Sequence, residues 1–297
     1  MMQAQVISTN SSVQFKMTAY WELLKPRLSF LVSFSCAFGF LLASQADTQW
    51  GRMLGIALGG FLLSGASVAI NQIIERDLDR LMTRTHRRPL PSGRISVNEA
   101  WGVALVAMAA SMALLFLFTN TLTVALSLLS MALYSWVYTP LKRVGPGAVF
   151  VGAFPGALPP LLGWIAYSGE ITHEALIIFG IQFIWQFPHF WAIAWVADDD
   201  YKKAGFRLLP SGGGKDVNTA IQIMTYTMFL IPLSLLPAKF GITGLNSALV
   251  AVVCSVAFFA QTFSLMKTGS NQSARRIMFG SFLYLPVVQL SYLLDKI

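Results

Sequence analysis

Asn71, Glu75 and Asp79 recur at i, i+4 and i+8 in the stretch AINQIIERDLDRLMTRTHRRPL. On an α-helix this spacing sets three oxygen donors on one stripe that drifts about 40° per step. Such a stripe suits a hard cation such as Mg2+, which takes one or two carboxylates and fills its shell with waters and phosphate oxygens. The loop that follows brings Arg84, Arg87 and Arg88, charges of the sign that holds phosphate. Asp77 falls on the opposite face and is expected to pair with Arg76 or Arg80. A solvated helix end with scattered ion pairs would show the same spacing. Against that bland alternative, Asn71 and Glu75 lie inside or beside an apolar run, where polar groups are costly and commonly functional.

A second polar group occupies FIWQFPHFWAIAWVADDDYKK. Gln186 and His189 sit within an apolar stretch, and Pro188 is expected to kink it and free a carbonyl. Three aspartates, Asp198, Asp199 and Asp200, follow, then Tyr201, Lys202 and Lys203. Alone, such a run reads first as a solvated loop. Paired with the first cluster on the same membrane side, it meets the needs of a bridged Mg2+–diphosphate site, in which the anion needs cations and the cations need anions. His189 has three readings: a hydrogen bond across helices, a ligand to haem iron, or a partner for a bound substrate. Trp185, Phe187, Phe190 and Trp191 would suit a flat macrocycle, though aromatic stripes in membrane helices are mostly packing. Tyr138, Lys142 and Arg143 in YSWVYTPLKRVGPG add to the basic face or form an ordinary basic loop.

The elements that carry these residues must be membrane helices. The 297 residues are 55% hydrophobic and 11% charged, against about 25% charged in a soluble domain. A hydrocarbon core of roughly 30 Å needs about 20 apolar residues per helix. Nine such runs fall near 28–46, 52–74, 98–118, 121–139, 146–167, 174–197, 217–237, 243–266 and 276–294. None alternates at period two, which excludes a barrel. The fold class expected is therefore all-α and polytopic, with 1–27 a cytoplasmic N-terminal segment and 28–297 a single transmembrane domain. GAFPGALPPLLGW in the fifth run predicts an irregular helix lining a cavity.

Eighteen of the 21 basic residues fall on alternate ends of these runs, leaving Arg52, Lys239 and Lys296 opposite. The asymmetry places the N-terminus and the long loops in the cytoplasm and the C-terminus outside. The net charge of +8 then reflects topology and gives no reason to invoke nucleic acid. Cys36 and Cys254 lack metal spacing and read as buried small side chains. The N-terminus carries no signal-peptide apolar run.

NQIIERDLDRLMTRTHRRPLPSGRIS resembles the first acidic motif and loop of the UbiA-type intramembrane prenyltransferases. Gln72 stands where most of that superfamily has Asp, and Glu75 where Asp is usual. This variant, with YTPLKR, WQFPHF and the Asp200–Tyr201 pair, is similar to the haem branch, the protohaem IX farnesyltransferases. The likeness covers essentially the whole chain. It implies a nine-helix bundle around a central cavity in a bacterial inner membrane. It also implies Mg2+-assisted transfer of farnesyl from farnesyl diphosphate to a vinyl group of haem B, giving haem O for terminal oxidases. Hand-over of haem to a downstream haem-modifying enzyme or oxidase assembly would follow. Carried over by position, Asn71, Glu75, Asp79 and Asp200 hold metal. Arg84, Arg88, Lys142, Arg143 and Lys202 hold diphosphate, and His189, Gln186 and Trp185 meet the haem. Transfer to a quinone precursor or a chlorophyll-type ring, or cation-coupled transport, are the alternatives.

Overall fold

Nine helices of the computed structural model, which describes residues 16–45 and 47–297, are long and apolar enough to cross a membrane. In chain order they include α1 (Pro26–Ala43) and α2 (Trp50–Ile74), which the short α3 (Arg76–Leu81) follows. Then come α4 (Val97–Phe118) and α5 (Thr121–Ala132), the latter extended by the π-helical turn Leu133–Tyr138 and by Thr139–Leu141. α6 (Gly147–Ser168), α7 (His173–Lys203), α8 (Val217–Leu233), α9 (Leu245–Thr268) and α10 (Asn271–Leu294) complete the bundle. No strand occurs among the described residues, only one isolated bridge between Thr243 and Lys296. The chain is an integral, multi-pass membrane protein.

The packing has two wings and a shared centre. α2 packs on α1 and α4, α7 through α10 pack on one another, and α6 lies between α1 and α7. α6 is the most buried span, at 78%, and α4 the least, at 22%. Glycine lets α6 approach α1 this closely: a Cβ at Gly163 would run into the Cys36 carbonyl, and one at Gly39 into Pro160.

The expected irregular fifth span is a continuous helix, with Pro155, Pro159 and Pro160 inside it. Pro160 cannot donate to the Gly156 carbonyl one turn back. Gln182 and Gln186, one turn apart on α7, both donate to that carbonyl at 2.9 and 2.8 Å. The irregular span is the fourth, where the π-helical turn carries Tyr134 and Tyr138. Cys36 is buried as expected, whereas Cys254 is only half-buried.

Two of the three basic residues that broke the loop asymmetry cap helix ends. Arg52 donates to the last-turn carbonyl of Ala166 and, at 3.3 Å, to that of Phe118. Lys296 donates to Leu41 at 2.8 Å and to the Ser44 carbonyl. Exposed carbonyls at helix C-termini attract cations on either side of a membrane.

α7 runs 31 residues, about 46 Å at 1.5 Å per residue, well past a 30 Å core. Its last two turns therefore carry Asp198–Asp200 on helix rather than on a loop. α10 likewise starts at Asn271, capped by Ser270, so Arg275 and Arg276 lie on helix. Of the N-terminal segment, residues 16–23 are helical and pack on α2 and α4. Ala19 and Leu23 bury against Ala69, Ile70 and Ala100. Lys16 and Tyr20 both reach Glu99.

Candidate active site

The helix that carries the first motif breaks at Glu75, whose φ of −91° and ψ of 6° end α2 and begin α3. Hydrogen bonds from Glu75 N to Asn71 O (2.9 Å) and Asp79 N to Glu75 O (2.8 Å) carry the register across the joint. Asn71, Glu75 and Asp79 thus keep their common stripe, and all three are buried, at 2%, 4% and 0% exposure. Asp77 lies on the other face with Arg76 and Arg80, as the spacing predicts.

Each member of the stripe has its own partner. Asn71 donates Nδ2 to Thr139 Oγ1 at 3.0 Å, which leaves its carbonyl oxygen uncommitted. Lys142 Nζ lies 2.9 Å from Glu75 Oε1 and donates to Oε2 at 3.1 Å. Oε1 itself accepts no hydrogen bond. Asp79 takes both its oxygens to Arg88, at 2.9 and 2.7 Å, and its backbone carbonyl accepts from Thr85. No three His, Cys, Asp or Glu among the described residues converge closely enough to form a metal cage by themselves. The donors are nevertheless of the right chemistry for a hard cation: buried oxygens, one of them without a hydrogen bond, beside a cavity of about 420 Å3 lined by Glu75, Thr139 and Arg143.

Lys142 is buried with its carboxylate. Burial opposes its charge, but Glu75 outweighs that and holds the ammonium above the ordinary lysine value. The same ammonium stands 4.8 Å over the Tyr138 ring and 5.8 Å from that of Phe206. Arg84 covers Tyr201 at 5.6 Å.

Lys25 belongs here too, although the sequence suggested no more for it than topology. It caps α1 with a left-handed backbone, φ 43°, just before Pro26. Burial, with the charges of Arg88 and Lys142 close by, lowers its ammonium to about 7. A lysine set directly before the proline that opens the first span was the available signal. Gln72, the departure from the superfamily pattern, donates to the Leu23 carbonyl at 2.7 Å and ties down the helix that leads to Lys25.

The two acidic clusters do meet, through the loop. Asp200 accepts from the backbone amides of Thr83 (3.0 Å) and Arg84 (2.9 Å) and from Lys203 Nζ (2.9 Å). Its oxygens therefore hold the loop that carries Arg84. Asp198 is the buried member of the run, at 5% exposure, and pairs with Lys202 at 2.7 Å. Asp199 is exposed and reaches Lys215 at 3.5 Å.

Deeper along α7, Trp185 and His189 stack at 4.4 Å and 19°. A row of rings leads from there to the charged end: His189 to Phe190 at 5.5 Å, Phe190 to Tyr138 at 6.5 Å, then Lys142. Gln186 points elsewhere, its amide nitrogen committed to Gly156 on α6.

Known proteins resemble this chain along nearly its whole length. The family model described as UbiA prenyltransferase family matches residues 32–285. The chain belongs to that family. A curated relative from Cytophaga hutchinsonii, named protoheme IX farnesyltransferase, is 49% identical over 94% of this chain and 98% of its own. One of the same name from Flavobacterium psychrophilum is 42% identical over 98% of each. Among solved structures, a digeranylgeranylglyceryl phosphate synthase shares the fold with TM-score 0.77 at 21% identity, over 94% of this chain and 98% of that one. A UbiA homolog from Archaeoglobus fulgidus, bound to GPP and Mg2+, does so with TM-score 0.66 at 19% identity, over 92% and 99%. At such identities these UbiA-fold neighbours speak for the fold.

Proposed function

We propose that this chain transfers farnesyl from farnesyl diphosphate to a vinyl group of haem B, giving haem O, with Mg2+ bound at Asn71, Glu75 and Asp79. Near full-length relatives at 49% and 42% identity that bear the name protoheme IX farnesyltransferase support the reaction and its acceptor. The observation that carries the site is the buried stripe whose two carboxylates rest on Lys142 and Arg88. Mg2+ at this stripe supplies positive charge to the departing diphosphate. Arg84, Arg88, Lys142, Arg143 and Lys25 bind the same anion, and Lys202 screens its outer side. Asp200, expected from the sequence as a further metal ligand, is assigned to holding the Thr83–Arg84 loop, because backbone amides already occupy its oxygens.

In this scheme the allylic C–O bond breaks, and its electron pair leaves with the diphosphate into the basic cluster. The Tyr138–Phe190 row faces the positive carbon with aromatic rings and keeps water away from it. The vinyl group gives its electron pair to that carbon. The cation formed beside the porphyrin takes hydroxyl from water, and the water's second proton goes to solvent. No strong base is needed, which fits a site whose carboxylates are both tied to cations. His189 and Trp185 hold the haem, while Gln186 acts indirectly by bracing α7 on α6.

The basic loops and the N-terminus face the cytoplasm of a bacterial inner membrane, so farnesyl diphosphate enters from the aqueous side. Haem O then leaves through lipid or to a downstream haem-modifying enzyme or oxidase assembly. Purified protein incubated with haem B, farnesyl diphosphate and Mg2+ is expected to yield a product with the mass of haem O. Absence of that mass, with the protein folded and both substrates bound, overturns the proposal.

A further inference from the structure

Ser281 of α10 is fully buried against the Trp185–His189 step of α7 and touches both side chains. Its backbone carbonyl accepts from Trp185 Nε1 at 3.2 Å. Its Oγ lies 2.8 Å from His189 Nδ1 and 2.6 Å from the Met278 carbonyl. A hydroxyl has one proton to give. If it goes to Met278, Oγ must accept from His189, so the ring proton sits on Nδ1 and Nε2 is bare.

The opposite assignment turns the hydroxyl toward Nδ1 and gives up the bond to Met278. It also moves the ring proton to Nε2, which has no hydrogen-bond partner among the described residues. The rings around it are Trp185, Phe190 and Phe282, none of which offers an oxygen. Two bonds with no stranded donor are favoured over one bond with a stranded donor. Trp185 stacks on the imidazole face and is itself held by the Ser281 carbonyl, so one residue sets both the tautomer and the ring plane.

We infer that Ser281 is a positioning residue for the acceptor: it fixes His189 as the Nδ1–H tautomer, so that Nε2 offers its lone pair to haem iron. This rests on the proposed haem contact of His189. An imidazole that binds metal through one nitrogen almost always donates its other N–H to a fixed oxygen, which orients the ring and raises its basicity. Anchoring the iron in this way fixes the porphyrin edge, and with it the vinyl group, relative to the Phe190–Tyr138 row that leads to Lys142.

The test uses full-length protein in lipid nanodiscs and compares wild type with Ser281→Ala, Ser281→Thr and His189→Ala. The first measurement needs no haem. Long-range 1H–15N correlation of 15N-histidine distinguishes the two tautomers, and with three histidines in the chain the His189→Ala spectrum assigns the signal. Wild type is expected to show a protonated Nδ1 and a bare Nε2; Ser281→Ala loses that state and Ser281→Thr restores it. A protonated Nε2 in wild type overturns the inference, whatever haem does. The second measurement titrates haem B and follows its Soret band. Ser281→Ala is expected to weaken haem binding about 10–100-fold, with farnesyl diphosphate affinity unchanged and Thr restoring the loss. Wild-type haem affinity in Ser281→Ala overturns the positioning role. A wild-type haem spectrum in His189→Ala overturns the haem contact itself, and the tautomer result separates that failure from the other.

Discussion

Lys142 Nζ lies 2.9 Å from one carboxylate oxygen of Glu75 and 3.1 Å from the other, with both side chains almost out of solvent. This pair joins the end of the fourth span to the joint between α2 and α3, two segments 67 residues apart in the chain. Arg88 and Asp79 repeat the arrangement one turn further on. Each carboxylate is thus buried against a cation of the kind a diphosphate would also use. Under the proposed function, substrate binding would be an exchange of partners, carboxylates to metal and basic groups to phosphate, rather than the burial of new charge.

Glu75→Gln is expected to lower turnover by roughly 10²–10³-fold, the scale of losing one preorganised electrostatic contact. It also leaves Lys142 buried without its anion, which costs about 3–5 kcal/mol in stability. Adding Lys142→Met should recover much of the stability and none of the activity. Thermal unfolding and haem O formation, measured on the single and double variants, check both halves. Full activity in Glu75→Gln would sink the site assignment.

Nine spans were legible because a membrane helix announces itself by apolar length alone, and every predicted run overlaps an observed one. The stripe Asn71–Glu75–Asp79 was legible because helical spacing survives the break at Glu75. What stayed hidden depends on distant partners. Nothing local says that Asp200 caps the Thr83–Arg84 amides, that Gln186 serves a carbonyl freed by Pro160, or that Lys25 comes within electrostatic reach of Arg88. The ends of α7 and α10 were misplaced because charged residues on a projecting helix look like loop by hydropathy. The acceptor was read by resemblance, since the aromatic row around His189 would equally pass for packing.

Arg88→Ala is expected to raise the KM for farnesyl diphosphate about 10–100-fold, the scale of a charged hydrogen bond worth 1.5–3 kcal/mol. It also strands Asp79, which has no exposure at all, so the melting temperature should fall with it. Arg88→Lys returns the charge, and because one guanidinium nitrogen serves both oxygens of Asp79, a lysine can recover part of both losses. Steady-state kinetics beside a melting curve separates substrate affinity from stability.

Asp200→Ala removes the acceptor for two loop amides. Hydrogen exchange at Thr83 and Arg84 should accelerate, and the KM for farnesyl diphosphate should rise about fivefold as the loop loosens, at roughly 1 kcal/mol for a lost hydrogen bond. The Mg2+ concentration for half-maximal activity should stay put. A large increase in that concentration, with loop exchange unchanged, would instead make Asp200 a direct metal contact.

Lys25 gives the site a pH dependence with a definite sign. Burial and the neighbouring Arg88 and Lys142 lower its ammonium to about 7 in the free protein, so above that pH the side chain is largely neutral. A bound diphosphate restores the charge, so binding takes up a proton, and affinity weakens as pH rises past 7 by at most about tenfold per unit. Stability moves the other way. The unfolded chain holds the extra proton up to its ordinary lysine value of 10.5, so between 7 and 10.5 this residue makes the fold more stable as pH rises, and the contribution is lost as pH falls through 7. Lys25→Arg keeps its charge throughout and should flatten the affinity profile between pH 7 and about 9. Calorimetric titration of farnesyl diphosphate across that range, in buffers of different ionisation enthalpy, reads both the affinity and the proton uptake. The same slope in wild type and Lys25→Arg would place the titrating group elsewhere.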